Sequence, residues 1–120
     1  MNKCNAERTH TANGGWYFGT MKGVLRSPDG ITWSMIPNSG QMVGGVIGDG
    51  TTLYESTAAA CFKWGDNLQL YYTAPESSGT PWTPMQTPGM TQGGWLSYDA
   101  DHHILYSSAC QQGFWRVVVR

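Results

Sequence analysis

The side chains best suited to chemistry fall in a few short stretches. From Tyr98 to His103 the sequence YDADHH sets two carboxylates beside two imidazoles, donors that could hold a metal weakly or supply a general acid. Adjacent histidines on a strand point to opposite faces and do not readily chelate one ion. A solvated turn is therefore the competing reading, and no cofactor or metal is expected. Arg26 and Arg116 stand in matching contexts, KGVLRS and QGFWRV. A guanidinium fork suits a carboxylate; the structural alternative is a framework arginine bonded to a carboxylate or a carbonyl. Trp16 and Trp95 each follow a Gly-Gly pair and offer flat apolar faces on which a sugar ring could stack, or which could pack between sheets. Trp16, Trp95, Arg26 and Arg116 are the candidate ligand-binding residues.

Another polar stretch, SPDGITW from Ser27 to Trp33, works without any ligand. Pro28 fixes one backbone angle and Gly30 permits a positive φ. Asp29 can accept from turn N–H groups that would otherwise stay unsatisfied. Trp33 has a large apolar area to bury between neighbouring sheets. No Ser-His-Asp signature, P-loop or Cys-His pattern is present, and no carboxylate pair of the retaining or inverting kind can be picked out. Cys4, Cys61 and Cys110 are odd in number and widely spaced, which fits neither a disulfide framework nor a zinc knuckle. Small thiols are the expectation, and a Cys61–Cys110 bridge is the alternative.

The elements that must position these residues are short strands. A chain of 120 residues fits one domain with a modest core. With a net charge of −1 and only 12% charged residues, neither a nucleic acid nor a membrane surface is expected as a partner. Sixteen Gly, six Pro, six Trp and six Tyr describe a turn-rich, aromatic-rich β protein. No apolar stretch approaches the roughly 18 residues of a membrane span, and MNKCNAERTHTANGG has no hydrophobic signal region. The compartment stays open: cytoplasmic for a native full-length chain, secreted if a signal was removed.

Repeats organise the chain. Trp33 and Trp82 are each followed, eleven residues later, by a Gly-Gly pair, Gly44-Gly45 and Gly93-Gly94, so the repeat length is 49. Beyond these pairs VIGDGTTLYEST matches WLSYDADHHILYSSA with three residues inserted. Alternating patterns and turn signals predict ten strands, at 16–20, 23–26, 32–36, 43–47, 52–56, 68–73, 82–85, 94–98, 104–108 and 114–119. About four strands per 50 residues is the spacing of a propeller blade.

Ser27-x-Asp29-Gly30-x-Thr32-Trp33 resembles the Asp-box, or BNR repeat, of sialidase-like β-propellers, in a form one residue shorter between Asp and Trp than the commonest one. ESSGTPW, from Glu76 to Trp82, resembles a second copy in which Ser78 replaces the Asp. The resemblance implies an all-β fold, an incomplete β-propeller of antiparallel four-stranded blades. The box would sit at the hairpin between strands three and four, on the face away from the family's active site, with a structural role for Ser27, Asp29, Gly30, Thr32 and Trp33. Arg26 would then lie remote from such a cleft. Residues 1–13 are expected to be a flexible or strand-exchanging N-terminal segment, and 14–120 one propeller-like domain of about two and a half blades, resembling the C-terminal part of a larger ring. Such a fragment exposes sheet edges and aromatic faces, so a homo-oligomer, dimer or trimer, is expected. The functional expectation is a non-enzymatic, self-associating protein that binds a carbohydrate or protein ligand. The alternatives are a sialidase-like or other glycoside hydrolase assembled only in the oligomer, and a truncated gene product without activity.

Overall fold

The computed structural model describes residues 8–10, 14–39, 43–57, 69–90, 94–109 and 113–119, with main chain only at 8–10 and 109. All three cysteines, and with them the Cys61–Cys110 alternative, lie outside these residues, as does most of the segment 1–13.

The described chain is all-β, with no helix among the described residues. Eleven strands follow one another: β1 (Arg8–His10), β2 (Trp16–Thr20), β3 (Gly23–Ser27), β4 (Ser34–Met35), β5 (Val43–Gly48), β6 (Thr52–Thr57), β7 (Tyr71–Pro75), β8 (Thr83–Pro84), β9 (Leu96–Asp99), β10 (Ile104–Ala109) and β11 (Gly113–Val118). They form three antiparallel sheets in simple sequential order, β1-β2-β3-β4, β5-β6-β7-β8 and β9-β10-β11. None of the sheets is closed.

All ten strands expected from the sequence are found, within a few residues. The outer strands β4 and β8 are only two residues long, because Trp33 is taken up in closing its turn and Pro84 cannot donate to a ladder. An eleventh strand, β1, pairs with β2 through Arg8↔Phe18 and His10↔Trp16. Its three residues, RTH, carry no apolar alternation that would mark a strand. The first sheet therefore has four strands where the sequence pattern showed three, and Arg8–His10 pairs within its own chain.

One glycine of the repeated Gly-Gly pairs, Gly94, is required sterically. A Cβ on Gly94 would lie 1.9 Å from the carbonyl oxygen of Ser108, and one on Gly45 would lie 3.4 Å from Ser56 Oγ. Gly94 leads the chain into β9 where it crosses close to β10, and only a residue without a side chain passes there, whereas Gly45 lies within β5 at an ordinary contact distance.

The second sheet lies between the other two and buries both faces. Tyr17 and Val24 of the first sheet, with Ile36, meet Val43, Val46 and Leu53 of the second, and Trp82 packs alongside. On the opposite side Tyr54, Leu70 and Tyr71 meet Leu96 and Leu105 of the third sheet. Strand alternation produces this two-sided burial: Leu53 and Tyr54 are neighbours in β6 and point into different cores. The first strands of the sheets are neighbours as well, β1 beside β5 and β5 beside β9.

Candidate functional site

The Ser27–Trp33 turn closes upon itself. Ser27 Oγ accepts from Gly30 N at 2.8 Å and donates to Asp29 Oδ1 at 3.0 Å. The same carboxylate oxygen accepts from Ile31 N and Thr32 N, both at 2.8 Å. These backbone bonds, with the Ser27 hydroxyl, hold the Asp29 carboxyl below the usual carboxylate range. Gly30 adopts φ +79°, and the Trp33 indole N–H donates to its carbonyl at 3.2 Å. Trp33 is half-buried, edge-on to Phe18 with ring centres 6.4 Å apart. Every side-chain bond of Asp29 among the described residues is made by Oδ1 within the turn, which fits a structural role.

Beside this turn a cleft of about 550 Å³ opens between the first and second sheets. Its wall includes Tyr17, Arg26, Ser27, Ser34, Glu76 and Ser77. Pairing of β2 with β3 places Tyr17 directly opposite Arg26, and the guanidinium carbon lies 5.7 Å from the Tyr17 ring centre. Arg26 Nη2 donates to the carbonyls of Glu76 and Ser77, both at 3.4 Å, and Tyr17 Oη donates to the Glu76 carbonyl at 3.4 Å. Burial raises the Tyr17 pKa above the ordinary phenol value, against the neighbouring Arg26 charge, which lowers it. The Glu76 carboxyl, 1% exposed, accepts from Gly50 N at 2.9 Å through Oε2. Its Oε1 has no partner among the described residues. Arg26 thus takes the carbonyl-bonded framework position that sequence offered as the alternative, while still lining a cleft edged by hydroxyls.

Sequence reasoning missed Tyr17 and Glu76 as members of this cleft. The 49-residue repeat held a signal for the second: Glu76 occupies the place of Ser27 in the degenerate box, and both are fully buried.

The other candidates are dispersed. Trp16 lies against the first turn, its Nε1 3.5 Å from where a Cβ on Gly30 would stand. Trp95 is 46% exposed at the entry to β9, so the two tryptophans stand on the first and third sheets and form no shared platform. Arg116 lies on β11 opposite Tyr106, repeating the Tyr17–Arg26 pairing, at the edge of a second cleft of about 270 Å³ lined by Met85, Met90, Leu96, Leu105 and Trp115. YDADHH forms the β9–β10 turn. Asp99 Oδ1 accepts from Asp101 N and His102 N, and Oδ2 meets His102 Nδ1 at 2.8 Å, an imidazole contact that lowers the Asp99 pKa. His103 Nδ1 lies 3.1 Å from Tyr98 Oη. Among the described residues no three His, Cys, Asp or Glu side chains converge as a metal site.

One further titratable group lies deep in the molecule. Glu55, on β6, is 1% exposed, its Oε2 has no partner among the described residues, and burial pushes its carboxyl up to about 8.

No family model matches the chain, and no curated protein matches it.

Proposed function

We propose that this chain is a non-enzymatic protein of the Asp-box β-propeller kind, which self-associates to complete its ring and binds a carbohydrate or protein ligand. The observation that supports this reading best is the stacking of the three sheets, with β1 beside β5 and β5 beside β9. Blades stack in that way around a central axis, and rings contain typically four to eight of them. The three sheets of the described residues are fewer than that, and in this reading a second copy supplies the others. The closed hydrogen-bond circuit of Ser27, Asp29 and Gly30, at the β3–β4 connection, fits the structural role of an Asp-box. For the ligand, the Arg26 cleft offers a guanidinium and serine hydroxyls, with Trp16 against the adjoining turn.

A light-scattering mass above one chain, together with glycan-array binding that weakens in Trp16→Ala or Arg26→Ala, is the expected result. A strict monomer removes ring completion. Unchanged glycan binding in Trp16→Ala, Trp95→Ala, Arg26→Ala and Arg116→Ala removes all four as ligand contacts.

A second reading, a glycoside hydrolase site assembled between copies, draws on the meeting of Tyr17, Arg26 and Glu76 around one cleft. Turnover of fluorogenic glycosides that is lost in Tyr17→Phe would replace the binding reading with this one.

A further inference from the structure

The first sheet seats on the second through one of its faces, and the third sheet carries the same face with no sheet packed on it among the described residues. In the first sheet Tyr17, Val24 and Arg26 point toward the second sheet, the first two into the shared core and Arg26 onto the carbonyls of Glu76 and Ser77. In the third sheet the cross-strand pair Tyr106↔Arg116 stands where Tyr17↔Arg26 stands in the first. Gly113 and Phe114 likewise take the places of Gly23 and Val24. Leu105 and Ser107 are the β10 residues that face the second sheet, so Tyr106 and its cross-strand partner Arg116 face away from it. On that outward face Phe114 is 70% and Val118 55% exposed, and the Tyr106 and Phe114 rings stack at 5.4 Å. The first sheet has an outward face of its own, where Phe18 and Trp33 meet and Met35 is 42% exposed.

We infer that the outward face of the third sheet receives the outward face of the first sheet of a second copy, head to tail, and that two such contacts close a ring of two chains. The inference rests on the self-association reading above and specifies its interface. Continuity supports it: each contact repeats the sheet-on-sheet packing already present twice within the chain. Charge complementarity supports it independently. Arg26 reaches Glu76 and Ser77, and the 49-residue repeat puts Ser27 and Pro28 at those positions in the first sheet. Arg116 of one copy therefore approaches the Ser27–Asp29 turn of the other, where the exposed Asp29 carboxyl is held ionised. A rotation that brings each sheet end to its complement closes the set, as heterologous interfaces do when the rotation returns to its start.

The test uses the full chain with Phe114→Asp, which marks the third-sheet face, and Met35→Asp, which marks the first-sheet face. Both positions are exposed in the single chain, so each variant keeps its fold. The wild type is expected at twice 13.2 kDa by sedimentation. Each variant alone is expected to weaken association at least ~100-fold, since a buried unpaired charge costs several kcal/mol. Mixing the two variants is expected to restore a heterodimer, because one contact then joins two unaltered faces. A wild-type dimer that survives Met35→Asp overturns the head-to-tail seating while leaving self-association intact. A wild-type monomer overturns both.

Discussion

The turn from Ser27 to Trp33 and its counterpart from Glu76 to Trp82 lie 49 residues apart, and both contain Gly-x-x-Trp. Each has a glycine of positive φ, and they close by different means. In the first, one carboxylate oxygen takes the N–H groups of positions 31 and 32, and the indole N–H caps the Gly30 carbonyl. In the second, the position equivalent to Thr32 is Pro81, which has no N–H. A carboxylate at Ser78 would find one donor where Asp29 finds two, and among the described residues the Ser78 hydroxyl bonds to Thr80 alone. Anchoring has moved outward: the Glu76 carboxyl holds Gly50, Glu76 N donates to the Thr51 carbonyl at 2.8 Å, and Gly79 lies so near Ile36 that a Cβ there would stand 3.0 Å from Ile36 Cδ1. Trp82 turns to the core, where its Nε1 finds no partner among the described residues. The first turn draws its anchoring from its own residues, whereas the second is held largely by groups of the neighbouring hairpin.

The largest expected effect separates the two sheets by pH. Glu55, on the second sheet, is neutral in the folded state and ionised in the unfolded chain between its ordinary 4.5 and about 8. Its contribution is fully present below 4.5 and is lost as pH rises toward 8, by on the order of 5 kcal/mol. Asp29 works in the opposite sense. Its lowered value adds stability above the ordinary 3.8, which is lost as pH falls through the lower folded-state value. Urea melts from pH 3 to 9 should show both limbs, and Glu55→Gln should flatten the upper one. Equal slopes in wild type and Glu55→Gln between pH 5 and 8 would contradict the buried-acid account.

Next in size, Glu76→Ala should cost about 2–3 kcal/mol, since Gly50 N loses its carboxyl partner and a buried side chain is truncated. Asp29→Ala should disturb less of the molecule. Hydrogen exchange should speed up at Ile31 and Thr32 and stay slow at Val24 and Leu53. Protection lost across both sheets in Asp29→Ala would show that the first turn is not self-contained.

The paired glycines sharpen the contrast. Gly30 and Gly79 both have positive φ, +79° and +71°. Alanine at Gly30 meets Trp16 at ordinary contact distance and should cost only the backbone strain, ~1 kcal/mol. At Gly79 the new Cβ would lie 3.0 Å from Ile36 Cδ1, so the cost should reach about 2 kcal/mol. Comparable melts for the two variants would argue against the packed anchoring of the second turn.

The smallest effect is expected from restoring the lost acid. Ser78→Asp alone should change stability by no more than ~0.5 kcal/mol, because Pro81 withholds one donor. Adding Pro81→Thr should convert the change into a gain of about 1 kcal/mol. A full gain from Ser78→Asp by itself would show that the missing N–H is not what the second turn lacks.

Much of this architecture was legible in the residues. Alternating apolar positions marked ten strands, and Asp-Gly dipeptides marked the turns at Gly30 and Gly50. Of the Gly-Gly pairs that fixed the repeat length, the second meets a close backbone crossing, Gly94 against Ser108. β1 escaped notice because three polar residues carry no periodic signal, and strand pairing alone defines them. Arg26 and Arg116 looked alike in sequence, yet one is satisfied by carbonyls of the second sheet and the other stands exposed at the edge of the stack. Glu55 gave no warning of its burial, whereas Glu76 did so only through its match to Ser27 in the repeat.

By itself, the sequence determined what depends on neighbours along the chain: strand positions, the repeat and the self-closing turn at Asp29, whose donors are two and three residues away. Tertiary structure alone decided what depends on which sheet lies opposite. It carried the Glu76 carboxyl to Gly50, set Tyr17 and Arg26 over a cleft, buried Glu55 among apolar strands and left Phe114 uncovered. The reason is physical: a strand's pattern fixes which residues share a face, and only the stacking of sheets fixes what that face meets.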